Sequence, residues 1–233
     1  MQSKIVNLPL SLFYQHIINQ TTKLGIWKIE EPEDFFLAEV PLQQSITHPH
    51  KRLQHLAGRY LLKYLFPDFP YDEILIADTR KPYLPGEQYH FSISHCGDYA
   101  AAIVSSTHRV GIDIEIPSPK VERISHKFIH QNEKQWLHGF LGEPQTSRSV
   151  LRTNLKLQTI LWSAKEAIFK WYSLGGVDFK EHMQLSNFIQ KRNDNFLLPF
   201  VFNKKSSIEL VISSRIFQSI VLSWVISDAN NFN

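Results

Sequence analysis

Hydrophobic residues between positions 51 and 66 recur at the spacing of an amphipathic helix. The apolar stripe of this helix consists of Leu53, Leu56, Ala57, Tyr60, Leu61 and Tyr64. An adjoining edge carries the basic residues Arg52, His55, Arg59 and Lys63. Because this stretch of sequence contains no acidic residue, the edge is interpreted either as a phosphate-binding surface or as a solvated helix face. Pro67 ends the helix.

The remaining pattern predicts strands and helices in two mixed groups, one on each side of Arg109. The predicted strands are Ile5–Leu12, Leu24–Ile29, Ile74–Ala77, Tyr89–Ser94, Tyr99–Ser105, Val110–Ile116, Phe196–Phe202, Ser207–Ile212 and Ser219–Ile226. The further predicted helices are Phe13–Gln20, Val121–Phe128, Gln131–Phe140, one beginning near Pro32 and one running through Glu166 to about Gly175. The polar residues 143–149 predict a loop before the last helix.

Residues 110–116 alternate between the two faces of the predicted strand. The apolar face is formed by Val110, Ile112, Ile114 and Ile116. Asp113 and Glu115 therefore share the opposite face, roughly 7 Å apart at the backbone, and repel each other if both are ionised. A hard divalent cation between them is the simplest compensation, and the solvent face of an edge strand is the alternative.

The last predicted helix adds a third carboxylate. Glu166 and Lys170 are four residues apart and lie on one helical face, which in isolation indicates an exposed ion pair. Magnesium is usually held by one or two carboxylates, with phosphates and water completing its coordination. Together with Asp113 and Glu115, the pair predicts a magnesium site, with Mn²⁺ as an alternative ion, beside an ammonium group that can reach a phosphate.

Four ordered segments between residues 80 and 170 resemble the signature of a known family. They are Lys81–Tyr83, Phe91–His95, Gly111–Glu115 and Trp162–Lys170. The set is similar to that of the 4′-phosphopantetheinyl transferases, in particular the long, pseudo-dimeric type that activates surfactin synthetase. Either of the last two segments alone is a weak signal, whereas the ordered set is specific.

The resemblance implies an α+β fold of two similar α+β halves around a central cleft. Residues 1–109 would form the first half, and residues 110–233 the second half with the metal site. The implied coenzyme A-binding residues are Lys81, Pro82, Ser94, His95 and Lys170. Arg52 and His55 are added to them from their place on the basic helix and not from a match to the family, because their edge begins at the N-terminal turn, where the helix dipole favours anions. Among them, Lys81 and Pro82 would lie against the adenine, and His95 would touch the 3′-phosphate.

The resemblance further implies transfer of the 4′-phosphopantetheine group of coenzyme A to a serine of an apo acyl or peptidyl carrier protein, with release of 3′,5′-adenosine bisphosphate. A cation held by Asp113, Glu115 and Glu166 would bridge the diphosphate, and Lys170 would add positive charge to it. Either Glu166 or Glu133 would remove the serine proton, and for Glu133 a surface position is the alternative. Trp162, Phe169 and Trp171 are assigned to packing.

Composition narrows the class of protein. The chain has 233 residues, 43% of them hydrophobic, and a formal net charge of +3, which fits an anionic ligand or an acidic partner and is too weak to indicate nucleic acid. The single cysteine, Cys96, excludes an intrachain disulfide, and the sequence has no apolar run of the ~20 residues that a membrane span needs. We expect a cytoplasmic monomer that binds neither nucleic acid nor membrane.

Two other classes of function compete with this interpretation. The basic helix alone is compatible with a nucleic-acid-binding module, although no recognised binding motif accompanies it. An inactive scaffold that keeps the fold and still binds coenzyme A is the second alternative. No acid of the two signature segments is replaced, which favours the enzyme.

Overall fold

The computed structural model describes residues 10–42, 45–141, 148–186, 190–192 and 194–228. Its helices are α1 (Glu33–Leu37), α2 (Pro49–Leu65), α3 (Pro119–Phe128), α4 (Gln131–Leu141) and α5 (Arg148–Tyr172). Its strands are β1 (Leu12–Ile17), β2 (Thr22–Lys28), β3 (Leu75–Ile76), β4 (Pro82–Tyr83), β5 (His90–Cys96), β6 (Tyr99–Ser105), β7 (His108–Glu115), β8 (Met183–Leu185), β9 (Gln190–Arg192), β10 (Asn195–Asn203), β11 (Ser207–Ile216) and β12 (Val221–Asp228). The predicted α+β class is confirmed.

Most predicted elements are present within a few residues of their expected ends. α2 begins with Pro49 in its first turn, where the missing N–H costs nothing, and Pro67 follows its end. Of the predicted loop at residues 143–149, only Arg148 and Ser149 lie within the described residues, and both belong to α5. Most of the predicted strand at Ile5–Leu12 lies outside them.

The predicted helix at Phe13–Gln20 is wrong. Its first residues form β1, whose backbone pairs with β2 in antiparallel register from Leu12 opposite Trp27 to Ile17 opposite Lys23. The Phe13 ring packs edge-on against Tyr99 and Phe217. Aromatic residues favour such a pleated surface, so cross-strand packing decides the conformation of this segment.

Two antiparallel sheets make up most of the structure. The first has the strand order β1-β2-β6-β5, and the second has the order β7-β12-β11-β10-β8, with β9 paired to the other part of β10. The chain passes from the first sheet to the second between Ser105 and His108. A small hairpin of β3 and β4 stands apart from both.

The sheets and helices stack in four layers. One core lies between α2 and the first sheet, and another lies between the second sheet and helices α3, α4 and α5. A third core lies between the sheets, where Leu24 and Ile103 of the first sheet meet Ile112 and Leu222 of the second. The apolar residues Val110, Ile112 and Ile114 of β7 are therefore buried against the first sheet, as the alternation predicts, and Ile116, directly after the strand, is partly buried there.

The two sheets also touch along an edge, where β5 runs beside β7. The hydroxyl groups of Ser92 and Ser94 accept hydrogen bonds from the backbone N–H groups of Ile112 and Ile114, at 3.2 and 3.3 Å. Two serines two positions apart match the period of a strand, so both can reach the neighbouring strand. This contact places Ser94 next to Asp113, in the candidate active site.

Among the described residues, each helix is either too short or too polar to span a membrane.

Candidate active site

The face of β7 that carries the acidic residues packs directly on α5. Gly111 makes this approach possible, because a Cβ atom at its position would lie 2.1 Å from the carbonyl oxygen of Ala167. Trp162, Glu166 and Lys170 follow at four-residue intervals along α5 and so lie on one face of the helix. The predicted meeting of the acidic strand with this helix is thus a feature of the structure.

Asp113 is the most buried of the three acidic side chains, with 3% of its surface exposed. Its Oδ1 accepts hydrogen bonds from Ser94 Oγ at 2.8 Å and from Lys170 Nζ at 2.7 Å. Its Oδ2 is also buried and has no hydrogen-bond partner among the described residues. A buried carboxylate oxygen in this state is costly, so Oδ2 is a candidate ligand for a cation.

Glu115 is oriented by a residue that the sequence interpretation left without chemistry. Trp162 Nε1 donates to Glu115 Oε1 at 2.9 Å, and Cys96 Sγ lies 3.7 Å from Oε2. Burial and the nearby charge of Asp113 raise the pKa of Glu115. The position of Trp162, four residues before Glu166 on the same helical face, is a signal from which this role could have been inferred.

Glu166 belongs to the same electrostatic cluster. Burial raises the pKa of Glu166 to about 7, the carboxylates of Asp113 and Glu115 add to the rise, and Lys170 opposes it. As the side chains stand, no group of three acidic, histidine or cysteine side chains in the described ranges is close enough to hold a metal ion. The three carboxylates are near enough to influence one another, and Lys170 neutralises part of their charge.

The raised pKa of Glu166 predicts a pH-dependent stability. The folded state holds this proton more tightly than the unfolded chain does, so the resulting stabilisation is complete below pH 4.5 and is lost as the pH rises to about 7. Glu166→Gln removes the ionisation. Without divalent ions, we expect the free energy of unfolding of the variant to rise relative to that of the unmodified protein as the pH increases from 4.5 to 8, by up to about 3 kcal/mol.

Urea unfolding across this pH range in the presence of a chelator measures the difference. Glu209→Gln, at an exposed position of β11, is the matched control. A Glu166→Gln difference that stays constant from pH 5 to 8 contradicts a buried, ionisable Glu166.

A cavity of about 220 Å³ adjoins Lys170. Lys81, Pro82, Ile93 and Phe169 are among its lining residues. The Nζ atom of Lys81 donates to the carbonyl of Lys170 and to Ser173 Oγ, both at the end of α5. The structure therefore brings the Lys81–Pro82 segment and Lys170 to one cavity, which is largely apolar with a few polar groups, as small-molecule sites are.

His55 and Arg59 of α2 form a second group of basic side chains, close to His95. Burial lowers the pKa of His55 to about 4, and the positive charges of Arg59 and His95 contribute to the fall. Burial and the charge of Lys170 lower the pKa of His95 as well. His55 Nε2 is buried and lacks a hydrogen-bond partner within the described part of the chain. His55 and His95 are therefore mainly neutral at neutral pH in this structure, and they lie close to the positive charges of Arg59 and Lys170.

Arg52 and Lys63, at the two ends of the basic helical edge, are already paired with acids. Arg52 donates from Nε and Nη2 to Glu33 Oε2, at 2.9 and 2.7 Å. Lys63 forms an ion pair with Glu39 at 3.0 Å. The acids come from the α1 region and not from α2 itself, so the continuous phosphate-binding edge suggested by the sequence is interrupted at both of its ends.

Ser94 uses every hydrogen-bonding position of its hydroxyl group within the protein. It donates to Asp113 and accepts from Lys170 Nζ at 2.7 Å and from the N–H of Ile114. This arrangement makes Ser94 the link between the two sheets and the acidic cluster. A direct contact of Ser94 with coenzyme A stays a prediction.

Glu133 lies in a different environment from the other acids. It is 2% exposed, and its Oε2 accepts from Lys165 Nζ at 2.7 Å and from the N–H of His130 at 2.7 Å. Its Oε1 accepts from the N–H of Leu185 at 3.0 Å. Lys165 is fully buried and also donates to two backbone carbonyls, those of Phe128 and Phe179. The ion pair of Glu133 and Lys165 thus links α3, α4, α5 and β8. This structural role explains the buried position of Glu133, and no catalytic role is needed to explain it.

Replacing Glu133 with glutamine should therefore affect stability first. The change leaves the ammonium of Lys165 buried without its counter-charge, and we expect a loss of about 3 kcal/mol in the free energy of unfolding. Urea unfolding measures this loss, with Lys134→Ala at the adjacent exposed position as the control. A Glu133→Gln protein of unchanged stability argues that the buried pair is not structural.

Comparison with known proteins agrees with this geometry. Residues 109–223 match the family model described as the 4′-phosphopantetheinyl transferase superfamily. The chain is similar to the 4′-phosphopantetheinyl transferase gsp of Aneurinibacillus migulanus, with 27% identity over 157 residues, covering 66% of this chain and 59% of the relative.

Two proteins of Escherichia coli are also similar. The 4′-phosphopantetheinyl transferase AcpT is 28% identical over 156 residues, which cover 62% of this chain and 73% of the relative. Enterobactin synthase component D is 33% identical over 124 residues, which cover 52% of this chain and 54% of the relative. The chain thus spans between about half and three quarters of the lengths of these curated relatives.

Proposed function

The chain belongs to the 4′-phosphopantetheinyl transferase superfamily, and we therefore propose that it transfers the phosphopantetheine group of coenzyme A to a serine of an apo acyl or peptidyl carrier protein. The observation that carries the proposal is the pairing of Asp113 with Lys170, beside Glu115 and Glu166. It combines acids suited to a divalent cation with an ammonium group suited to a diphosphate.

Asp113, Glu115 and Glu166 are the residues that would hold the cation, Mg²⁺ or Mn²⁺. The buried Oδ2 of Asp113, which has no partner in the described ranges, supports this donor set, as does the mutual effect of the three acids on their pKa values. Oxygen ligands of this kind are preferred by hard divalent ions. When bound, such an ion supplies charge stabilisation to the diphosphate and its leaving group.

Lys170 and the cavity beside it are proposed to bind the coenzyme. The diphosphate would lie near Lys170 Nζ, and the adenine would lie along Lys81 and Pro82 in the cavity. His55 and His95 would face the 3′-phosphate, whose negative charge would favour their protonated forms. Arg52 contributes less direct charge, because Glu33 already binds its guanidinium.

In the transfer step, the serine oxygen of the carrier forms a bond to the β-phosphorus while the bond from that phosphorus to the bridging oxygen breaks. The products are the phosphopantetheinyl serine and 3′,5′-adenosine bisphosphate. Glu166 is proposed to take the serine proton, since its carboxylate belongs to the acidic cluster beside Lys170, where the diphosphate is proposed to lie. Glu133 is the weaker candidate because Lys165 and two backbone N–H groups occupy its carboxylate.

One chain supplies both sides of this site, since Ser94 comes from the first sheet while Asp113 and Lys170 come from β7 and α5. We accordingly propose a monomer that acts without nucleic acid. The single free thiol, Cys96, fits a reducing compartment such as the cytoplasm. The mild positive charge of the chain suits an acidic carrier protein.

Mass spectrometry of an apo acyl carrier protein incubated with the protein, coenzyme A and magnesium tests the proposal. We expect a mass gain equal to one phosphopantetheine group, together with release of 3′,5′-adenosine bisphosphate. Binding of coenzyme A in calorimetry without any mass gain on acyl and peptidyl carriers would instead support the inactive scaffold. Omitting magnesium and adding a chelator should remove the mass gain.

A further inference from the structure

The C-terminal end of α5 is held by two basic side chains from outside the helix. Arg109, near the start of β7, donates from Nε to the carbonyl of Trp171 and from Nη2 to the carbonyl of Tyr172, both at 2.8 Å. Lys81, directly before β4, donates to the carbonyl of Lys170. The last carbonyls of a helix have no partner within the helix, so donors from two other elements cap three successive groups here.

Ser173 connects the two basic side chains. Its backbone has a φ of 72°, in the left-handed region that glycine usually occupies after a helix end. Its hydroxyl group accepts from Lys81 and lies 3.4 Å from Arg109 Nη2, while its own carbonyl accepts from Thr79 Oγ1 at 3.1 Å. A glycine would adopt this φ with less strain but would lose the hydroxyl contacts. The Ser173 side chain therefore contributes to holding Lys81 and Arg109 at the end of α5.

The arrangement carries an electrostatic cost. Burial lowers the pKa of Lys81 to about 7, and the charges of Arg109 and Lys170 add to the fall. Burial also lowers the pKa of Arg109. The partial negative charge at the end of a helix and the hydrogen bonds to its carbonyls offset part of this cost.

We propose that Arg109 and Lys81 are positioning residues for the transfer reaction, because they hold the end of α5 against β7 and against the nucleotide cavity. Arg109 lies four residues before Asp113 on its strand, and the carbonyls that it binds directly follow Lys170 on the helix. The two contacts set how far α5 can slide along β7, and hence whether Lys170 Nζ stays 2.7 Å from Asp113. Neither side chain needs to touch the reacting atoms.

The catalytic part of this inference depends on the proposed transfer activity, whereas the effect on the helix end does not. The test therefore combines kinetics with amide hydrogen exchange of Arg109→Gln, Arg109→Lys and Lys81→Met. Arg215→Gln is the matched control, because Arg215 is also a half-buried arginine of the second sheet. Its guanidinium makes a 3.0 Å hydrogen bond to Tyr14 and lies 5.1 Å from the Phe217 ring centroid. Arg215 lies outside the proposed catalytic and binding residues.

For Arg109→Gln we expect kcat to fall about 10- to 100-fold, since displacing the reacting groups by about 1 Å can reduce the rate by this factor. The Kd of coenzyme A should stay within about threefold, as the nucleotide contacts remain. Arg109→Lys should recover part of kcat, because a lysine restores the charge and one hydrogen bond. Exchange at residues 170–173 should accelerate in Arg109→Gln and in Lys81→Met, and should be unchanged in Arg215→Gln.

Unchanged exchange at residues 170–173 in both variants overturns the inference, whether or not the protein has transfer activity. An Arg109→Gln enzyme that loses coenzyme A affinity at constant kcat also overturns it, because that result identifies Arg109 as a binding residue. Should Arg109→Gln fail to fold, Arg109→Lys provides the kinetic and exchange readouts, and Lys81→Met, whose side chain also lines the proposed adenine cavity, provides the exchange readout alone. A wild-type protein without any transfer activity contradicts the proposed function alone.

Discussion

Asp113→Ala is expected to reduce phosphopantetheine transfer by about 10³-fold or more, because the reaction depends on charge stabilisation at the diphosphate. The change removes the central carboxylate of the proposed cation site and also the anchor of Lys170, which lies 2.7 Å from Asp113 Oδ1. The added mass on an apo carrier protein, measured over time, gives the rate. Glu166→Ala should cause a loss of similar size, since it removes a second carboxylate of the same cluster.

The fold should survive the Asp113 change. Lys170 has a quarter of its side chain exposed and can turn to solvent once its partner is gone, so we expect only a small shift in the melting temperature. Asp228→Ala, at an exposed position of the neighbouring strand β12, is the matched control and should transfer normally. An Asp113→Ala protein with full activity contradicts the site assignment.

Gly111→Ala is expected to have the largest effect on stability. A Cβ atom at this position would lie 2.1 Å from the carbonyl oxygen of Ala167 and 2.8 Å from the amide nitrogen of Trp171. Both are backbone atoms of α5, so no side-chain rotation relieves the overlap, and β7 must separate from the helix. We expect a loss of about 5 kcal/mol or more, beyond the range of ordinary substitutions, and a melting temperature lower by roughly 10 °C or more.

Thermal unfolding followed by circular dichroism measures this effect. Gly86→Ala is the control, because its added Cβ would make only an ordinary contact, 3.5 Å from Gln88 Nε2. Any Gly111→Ala protein that folds should also be inactive, since separation of β7 from α5 moves Asp113 away from Lys170. A melting temperature equal to that of the unmodified protein would show that β7 and α5 do not pack as closely as described.

Several features of the fold could be predicted because they depend on local periodicity. The apolar stripe of residues 51–66 appears as α2, and the alternation along residues 110–116 places Asp113 and Glu115 on the face toward α5. The segment at Phe13 could not be predicted in the same way. Its aromatic residues fit either period, and pairing with β2 decides between them.

The partners of charged side chains were the least predictable part of the site. Arg52 and Lys63 read as free cations along α2, yet Glu33 and Glu39 bind them from elsewhere in the chain. Glu133 resembled a catalytic acid in sequence, yet it lies in a buried pair with Lys165. Ion pairs depend on distances in space, and a single sequence does not reveal which distant residues become neighbours.

By itself, the sequence determined the residue types of the site, their order and the face of the strand or helix on which each lies, because backbone geometry sets the periods of 2 and 3.6 residues. Only the tertiary structure decided which side chains meet. Ser94 and Lys170 are separated by 76 positions and Asp113 and Lys170 by 57, and packing of β5, β7 and α5 brings them within hydrogen-bonding distance. The same packing places Arg109 and Lys81 at the end of α5, because β7 and the segment before β4 both reach it.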